Sequence, residues 1–151
     1  MRQDFKELRQ VGINAYKDRN FCTVAALAMT LDWSFGKAHR WMAKKPFNRK
    51  HGRGMWIGAW RPAIEAAAES VGKRFVEGDY HVIVPKRRDG TPNLRAVKTM
   101  TLSRFCKENP RGTFYVQVNG HAVAIVDGVM HDWTAETAGR RKIITSFKLQ
   151  G

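Results

Sequence analysis

Apolar and small residues fill nearly every position of Phe21-Cys22-Thr23-Val24-Ala25-Ala26-Leu27-Ala28-Met29, so a helix here has no polar face and predicts a central, buried element. Shorter amphipathic segments flank it. Asp4 to Gln10 reads as a helix with Phe5 and Leu8 at helical spacing, and a polar stretch, Asn14 to Asn20, follows. Ser34 is a natural N-cap for a helix through Lys44, with Phe35, Ala38 and Met42 as its inner stripe and Pro46 beyond its end. Asn48 to Gly58, with three glycines among basic residues, predicts an exposed loop. Pro62 then opens a third helix, Ala63 to Val71, closed by Gly72.

Past this point the period changes from helical to alternating. Tyr80 to Val84 is strand-like, and Thr101 caps a short helix, Leu102 to Lys107, stopped by Asn109-Pro110. Thr113 to Val118 alternates, Ala122 to Val126 is a continuous apolar strand, and Asp127-Gly128 signals a hairpin into Val129 to Trp133. Lys142 to Leu149 is the last strand. Helices first and antiparallel strands afterwards is the α+β arrangement. No repeat or linker divides the 151 residues, so residues 1–151 are expected to form a single domain.

Composition changes this picture in two ways. Hydrophobic residues make up 43% of the chain, enough for a core, yet the longest apolar run is about half of the roughly 20 residues a membrane helix needs. The net charge of +14 creates a field that attracts nucleic acid or an acidic protein. The basic stretch Lys44, Lys45, Arg49, Lys50 and Arg53 is expected to be a solvated surface and the first place such a partner would touch. The start of the chain, Met-Arg-Gln-Asp-Phe-Lys-Glu-Leu-Arg, lacks an apolar leader core, which predicts a cytosolic protein.

Only two cysteines are present, and neither has metal-ligand spacing around it. Cys106, beside Phe105, reads as core. Cys22 stands where a polar loop meets the buried helix, so its side chain is at the positive end of the helix dipole, where a thiol ionises more readily. His121 follows a glycine at the head of an apolar strand, anchored and able to reach across a cleft. Counting back from the Asp127-Gly128 turn sets Asp132 within a residue or two of Ala122 or Val123, close enough to orient His121. Cysteine, histidine and aspartate are the parts of a thiol nucleophile with its general base and orienting group. His131 alternates out of phase with Asp132, and His39 and His81 have no partner identifiable from sequence. Trp56 and Trp60 are candidates for a groove wall, but packing is the favoured role for both.

Asn20 through Ala28 is similar to the cysteine-helix opening of small bacteriophage papain-like cysteine peptidases, and Gly120 through Trp133 resembles their histidine hairpin. Pro110 through Val116 resembles the strand that precedes that hairpin. The resemblance runs from about Lys17 onward and implies a papain-like fold, shared with bacteriocin-processing peptidases: an N-terminal helical half packed on a C-terminal antiparallel sheet. It implies hydrolysis of a peptide or isopeptide bond by Cys22, His121 and Asp132, with no metal or cofactor. It also implies a setting in the cytoplasm of an infected bacterium or in the virion. The family places a glutamine shortly before the cysteine as an oxyanion donor. Here Tyr16 occupies that region and no Gln lies between Val11 and Cys22, which leaves Asn20 and the Cys22 backbone N–H as the expected oxyanion hole. Phe21 is a second departure from the pattern. The alternative expectation is an inactive scaffold of the same fold that binds a host protein, a virion component or nucleic acid through its basic surface.

Overall fold

The computed structural model describes residues 2–78, 81–132 and 139–151. It is a mixed α+β molecule with an antiparallel five-stranded sheet. Helix α1 (Phe5–Gln10) is capped by Asp4, whose carboxylate accepts the Lys6 N–H at 2.7 Å, and the chain continues into a π-helical turn, Val11–Ala15. The buried helix α2 spans Cys22–Leu31, with Thr23 to Thr30 all buried, as its unbroken apolar pattern requires. Helix α3 (Phe35–Ala43) starts at Ser34, whose hydroxyl accepts the Lys37 N–H at 3.1 Å.

Helix α4 departs from the sequence expectation. It runs Ile57–Ser70, beginning six residues before Ala63, with Pro62 inside it. Burial accounts for the difference: Trp60, Ala63, Ile64, Ala67 and Ala68 form one inward stripe, and its packing outweighs the backbone hydrogen bond that Pro62 cannot make.

The sheet has the order β1 (Arg74–Glu77), β7 (Ile143–Gln150), β4 (Thr113–Val118), β5 (His121–Val126) and β6 (Val129–His131). A separate two-stranded ribbon pairs β2 (Val82–Ile83) with β3 (Lys98–Thr99). The β5–β6 hairpin turns at Asp127 (φ 49°) and Gly128 (φ 75°), both left-handed, which is the type I′ geometry that favours Asp-Gly. Its register pairs Val126 with Val129 and Ala124 with His131, so Asp132 follows next to Val123 as the turn count expected. Trp133, placed at the end of that strand from sequence, lies outside the described residues, as does Tyr80.

The sheet is buried on both faces. Tyr115, Ala122, Ala124 and Phe147 pack under α2, α3 and α4. Phe114, Val116, Val118, Val123, Ile125 and Ile143 form the other face, covered by helix α5 (Leu102–Glu108) through Leu102 and Phe105. Tyr115 crosses to the helical layer, its hydroxyl donating to the Thr23 carbonyl at 3.4 Å and tying β4 to the first turn of α2. No helix among the described residues is long and apolar enough to cross a membrane.

Candidate active site

Cys22 is the first residue of α2, and Phe21 before it contributes no side-chain cap. The open N–H groups of the first turn therefore face the thiol, and the Thr23 N–H is one of the groups that bind its ionised form. No acidic residue in that turn opposes the negative charge. Helix α2 lies against β5, which carries His121 at its first position.

His121 and Asp132 are joined by a hydrogen bond of 2.9 Å between Nε2 and Asp132 Oδ1, with both side chains largely buried. The same imidazole borders the cleft beside Cys22 and acts on the ionisation of its thiol. With Nε2 committed to the carboxylate, Nδ1 is the ring nitrogen left for sulfur. Burial alone would push the Cys22 thiol up, but the His121 hydrogen bond, the Ala122 N–H and the imidazolium charge together carry it below its ordinary value. Burial opposes charge on His121 as well. Its hydrogen bonds to Asp132 and Cys22, and their negative charges, outweigh burial and raise its pKa to about 9. The two groups are displaced in opposite directions, each toward its charged form. Asp132 contributes most to the rise on His121, and the Cys22 and His121 charges support each other.

Beside this pair opens a cleft of about 290 Å³, lined by Cys22, Thr23, Gly54, Met55, Trp56, Ile57, Trp60, Gln117, Gly120, His121 and Ala122. Trp60 is buried and belongs to the core, whereas Trp56 is 75% exposed and forms an open wall. A larger hollow of about 390 Å³ lies against the opposite face of the sheet, near His81, Phe105 and Ser146, and includes none of the three expected catalytic residues. Size does not locate this chemistry.

The expected oxyanion donor Asn20 is not in the cleft. It is exposed, and its amide nitrogen donates to the Gly52 carbonyl at 2.8 Å, bracing one loop against another. The backbone N–H of Cys22, the other expected donor, is at the helix start and borders the cleft through its own residue.

The basic stretch needs a correction at Arg49. Lys44, Lys45, Lys50 and Arg53 are exposed, but Arg49 is only 5% exposed and donates to Asp18 Oδ2 at 2.7 Å and to the Asn20 carbonyl at 2.9 Å. Its charge is consumed by a buried carboxylate 31 residues earlier, so it is not part of any solvated surface. Burial pushes the Asp18 carboxyl up, and Arg49 together with the Asn20 and Gly52 N–H groups more than reverses this, leaving it below its usual 3.8. His39 Nε2 lies 3.5 Å from the same oxygen, and His51 bonds the Tyr16 carbonyl at 2.6 Å. Ligand atoms of Asp18, His39 and His51 lie within 4.8 Å of one another, but any cation there would meet the guanidinium already on Asp18. This hub fixes the chain before Cys22 to the loop that leads into Gly54–Ile57, and so holds two walls of the cleft.

Sequence reasoning missed Gln117. Its side-chain oxygen is buried and has no hydrogen-bond partner among the described residues, a state that costs about 1–3 kcal/mol. The pairing of β4 with β7 shifts register between Gln117 and Val118, the mark of a bulge. The one available signal was a glutamine on the inward phase of an otherwise apolar alternation.

No family model, no curated protein and no solved structure matches this chain.

Proposed function

We propose that the protein is a papain-like cysteine peptidase that hydrolyses a peptide or isopeptide bond. The observation that carries this reading is the opposite displacement of two adjacent groups, a thiol brought below its ordinary value and an imidazole raised to about 9. Structural cysteines buried in apolar surroundings move the other way. The Cys22 thiolate attacks the carbonyl carbon, and the carbonyl π electrons move onto oxygen. His121 then donates its proton to the leaving amine as the C–N bond breaks, leaving a thioester. Neutral His121 next takes a proton from water, which attacks the thioester carbonyl. Collapse of that second intermediate expels the Cys22 thiolate and releases the acid. Asp132 holds the imidazole in orientation throughout. The cleft of about 290 Å³ beside the exposed Trp56 is the place for the peptide segment around the reacting carbonyl. The resemblance of Asn20 through Ala28 and of Gly120 through Trp133 to phage peptidases supports the same reading and suggests an infected bacterium as its setting.

The test is the rate of Cys22 alkylation by iodoacetamide from pH 4 to 9. The expected result is a rate that persists well below the ordinary thiol pKa of about 8.5 and loses its acid side in His121→Ala. A rate that follows ordinary thiol titration would sink the peptidase reading. It would favour the binding scaffold, whose exposed Lys44, Lys45, Lys50 and Arg53 suit an acidic partner.

A further inference from the structure

Gln117 pairs across the sheet with Ala122 of β5 on one side and Thr145 of β7 on the other. Strand alternation sets it on the face of Tyr115, Ala122 and Phe147, whose side chains are buried under the helices. A carboxamide in that company should be fully bonded. Instead its oxygen is buried without a donor, and the group lines the same cleft as Cys22 and His121. The register shift beside it leaves Ile144 of β7 as the extra residue, while Gln117 keeps regular pairing with β5 one position from the His121 pair. A carboxamide carries oxygen and nitrogen on opposite sides of its carbon. With the oxygen turned into the protein, the N–H₂ end is the one left toward the cleft, and it makes no hydrogen bond among the described residues.

We propose that Gln117 binds the carbonyl oxygen under attack, and that its N–H₂ and the Cys22 backbone N–H together form the oxyanion hole that Asn20 does not supply. The proposal rests on the peptidase reading. The substrate supplies an acceptor for the N–H₂ end, while the buried oxygen stays without a donor. As the carbonyl becomes tetrahedral its oxygen gains negative charge, and a preset donor gains strength at that moment without reorganising. The donor comes from the sheet layer rather than from the loop before the nucleophile, so the two N–H groups approach the oxygen from different elements.

An acetyl-dipeptide aldehyde separates this role from thiol activation. Its addition to Cys22 gives a hemithioacetal whose oxygen occupies the oxyanion position, while iodoacetamide reacts at a methylene carbon and needs no such donor. The measurement is protection of Cys22 from iodoacetamide by the aldehyde, in the native protein and in Gln117→Ala and Gln117→Met. Both variants are expected to keep the native alkylation profile against pH. Both should need roughly tenfold or more aldehyde for equal protection. Equal protection in the native protein and the variants overturns the proposal, as does a native protein that alkylates on the acid side but is never protected. If Gln117→Ala alone loses the alkylation profile, the volume-matched Gln117→Met decides. If both lose it, Gln117 is a packing residue and the proposal fails. A native protein without acid-side alkylation removes the peptidase reading itself, and this proposal with it.

Discussion

Cys22 and Cys106 are both partly buried, both on helices, and packed against opposite faces of one sheet. Burial pushes both thiols up. For Cys106, within α5, nothing offsets it, and the thiol sits above its ordinary value. Cys22 has the same handicap and ends below its ordinary value because the Thr23 N–H, the Ala122 N–H and His121 all bind the ionised form. A thiol's depth in the fold therefore says little about its reactivity. Donors aimed at the sulfur decide it, and only the first residue of a helix facing a strand-borne histidine has them here.

The largest expected way to break this contrast lies away from either cysteine. Asp18→Ala leaves the Arg49 guanidinium buried without its carboxylate, which should cost about 3–5 kcal/mol of stability in urea unfolding. Loss of the hub also releases the segment leading into Cys22. The pH dependence has a definite sign. The folded Asp18 carboxyl lies below its usual 3.8, so its contribution is present above that value and disappears as acid protonates it further down. Acid unfolding should set in below pH 4 and be absent near pH 6.

Removing His121 is the next largest effect and makes Cys22 resemble Cys106. At pH 6 an ordinary thiol is only about 0.3% ionised. Alkylation of Cys22 in His121→Ala should therefore fall at least about tenfold there, as read by mass spectrometry of the labelled peptide. In the native protein the charge on His121 has an upper pH limit too. His121 is raised from 6.5 to about 9, so the stability it contributes is complete below 6.5 and is lost as pH rises through about 9. The smallest effect should come from Cys106→Ala, which costs about 1 kcal/mol and leaves the Cys22 profile against pH unchanged. A change in that profile would show that the two sheet faces are coupled.

Much of this contrast was legible in the residues themselves. The apolar run from Phe21 fixed α2 and set Cys22 at its start, and Asp127-Gly128 fixed the hairpin register that brings Asp132 to His121. What stayed hidden depends on distant partners. Strand β1 has only Phe75 buried, and its partner β7 lies about 70 residues later, so no local alternation marks it. Arg49 looked like one more solvated charge because the carboxylate that buries it is far back in the chain. Asn20 had suitable chemistry, but Gly52 claims its amide. Helix α4 was read too short because Pro62 resembled a helix start, whereas the Trp60 to Ala68 stripe overrides that local signal.

Trp56 stands at the mouth of the cleft with its indole ring lying over Gly58, where no side chain intervenes. Trp33 and Trp60 are buried, so in fluorescence they are shielded emitters at shorter wavelength, while Trp56 is open to water. Acrylamide or iodide should quench Trp56 ahead of those two, and a chain segment lying in the cleft would shield it. The molecule thus carries its own optical reporter of occupancy in the wall of the cleft beside Cys22, readable without a label and without knowing what the occupant is.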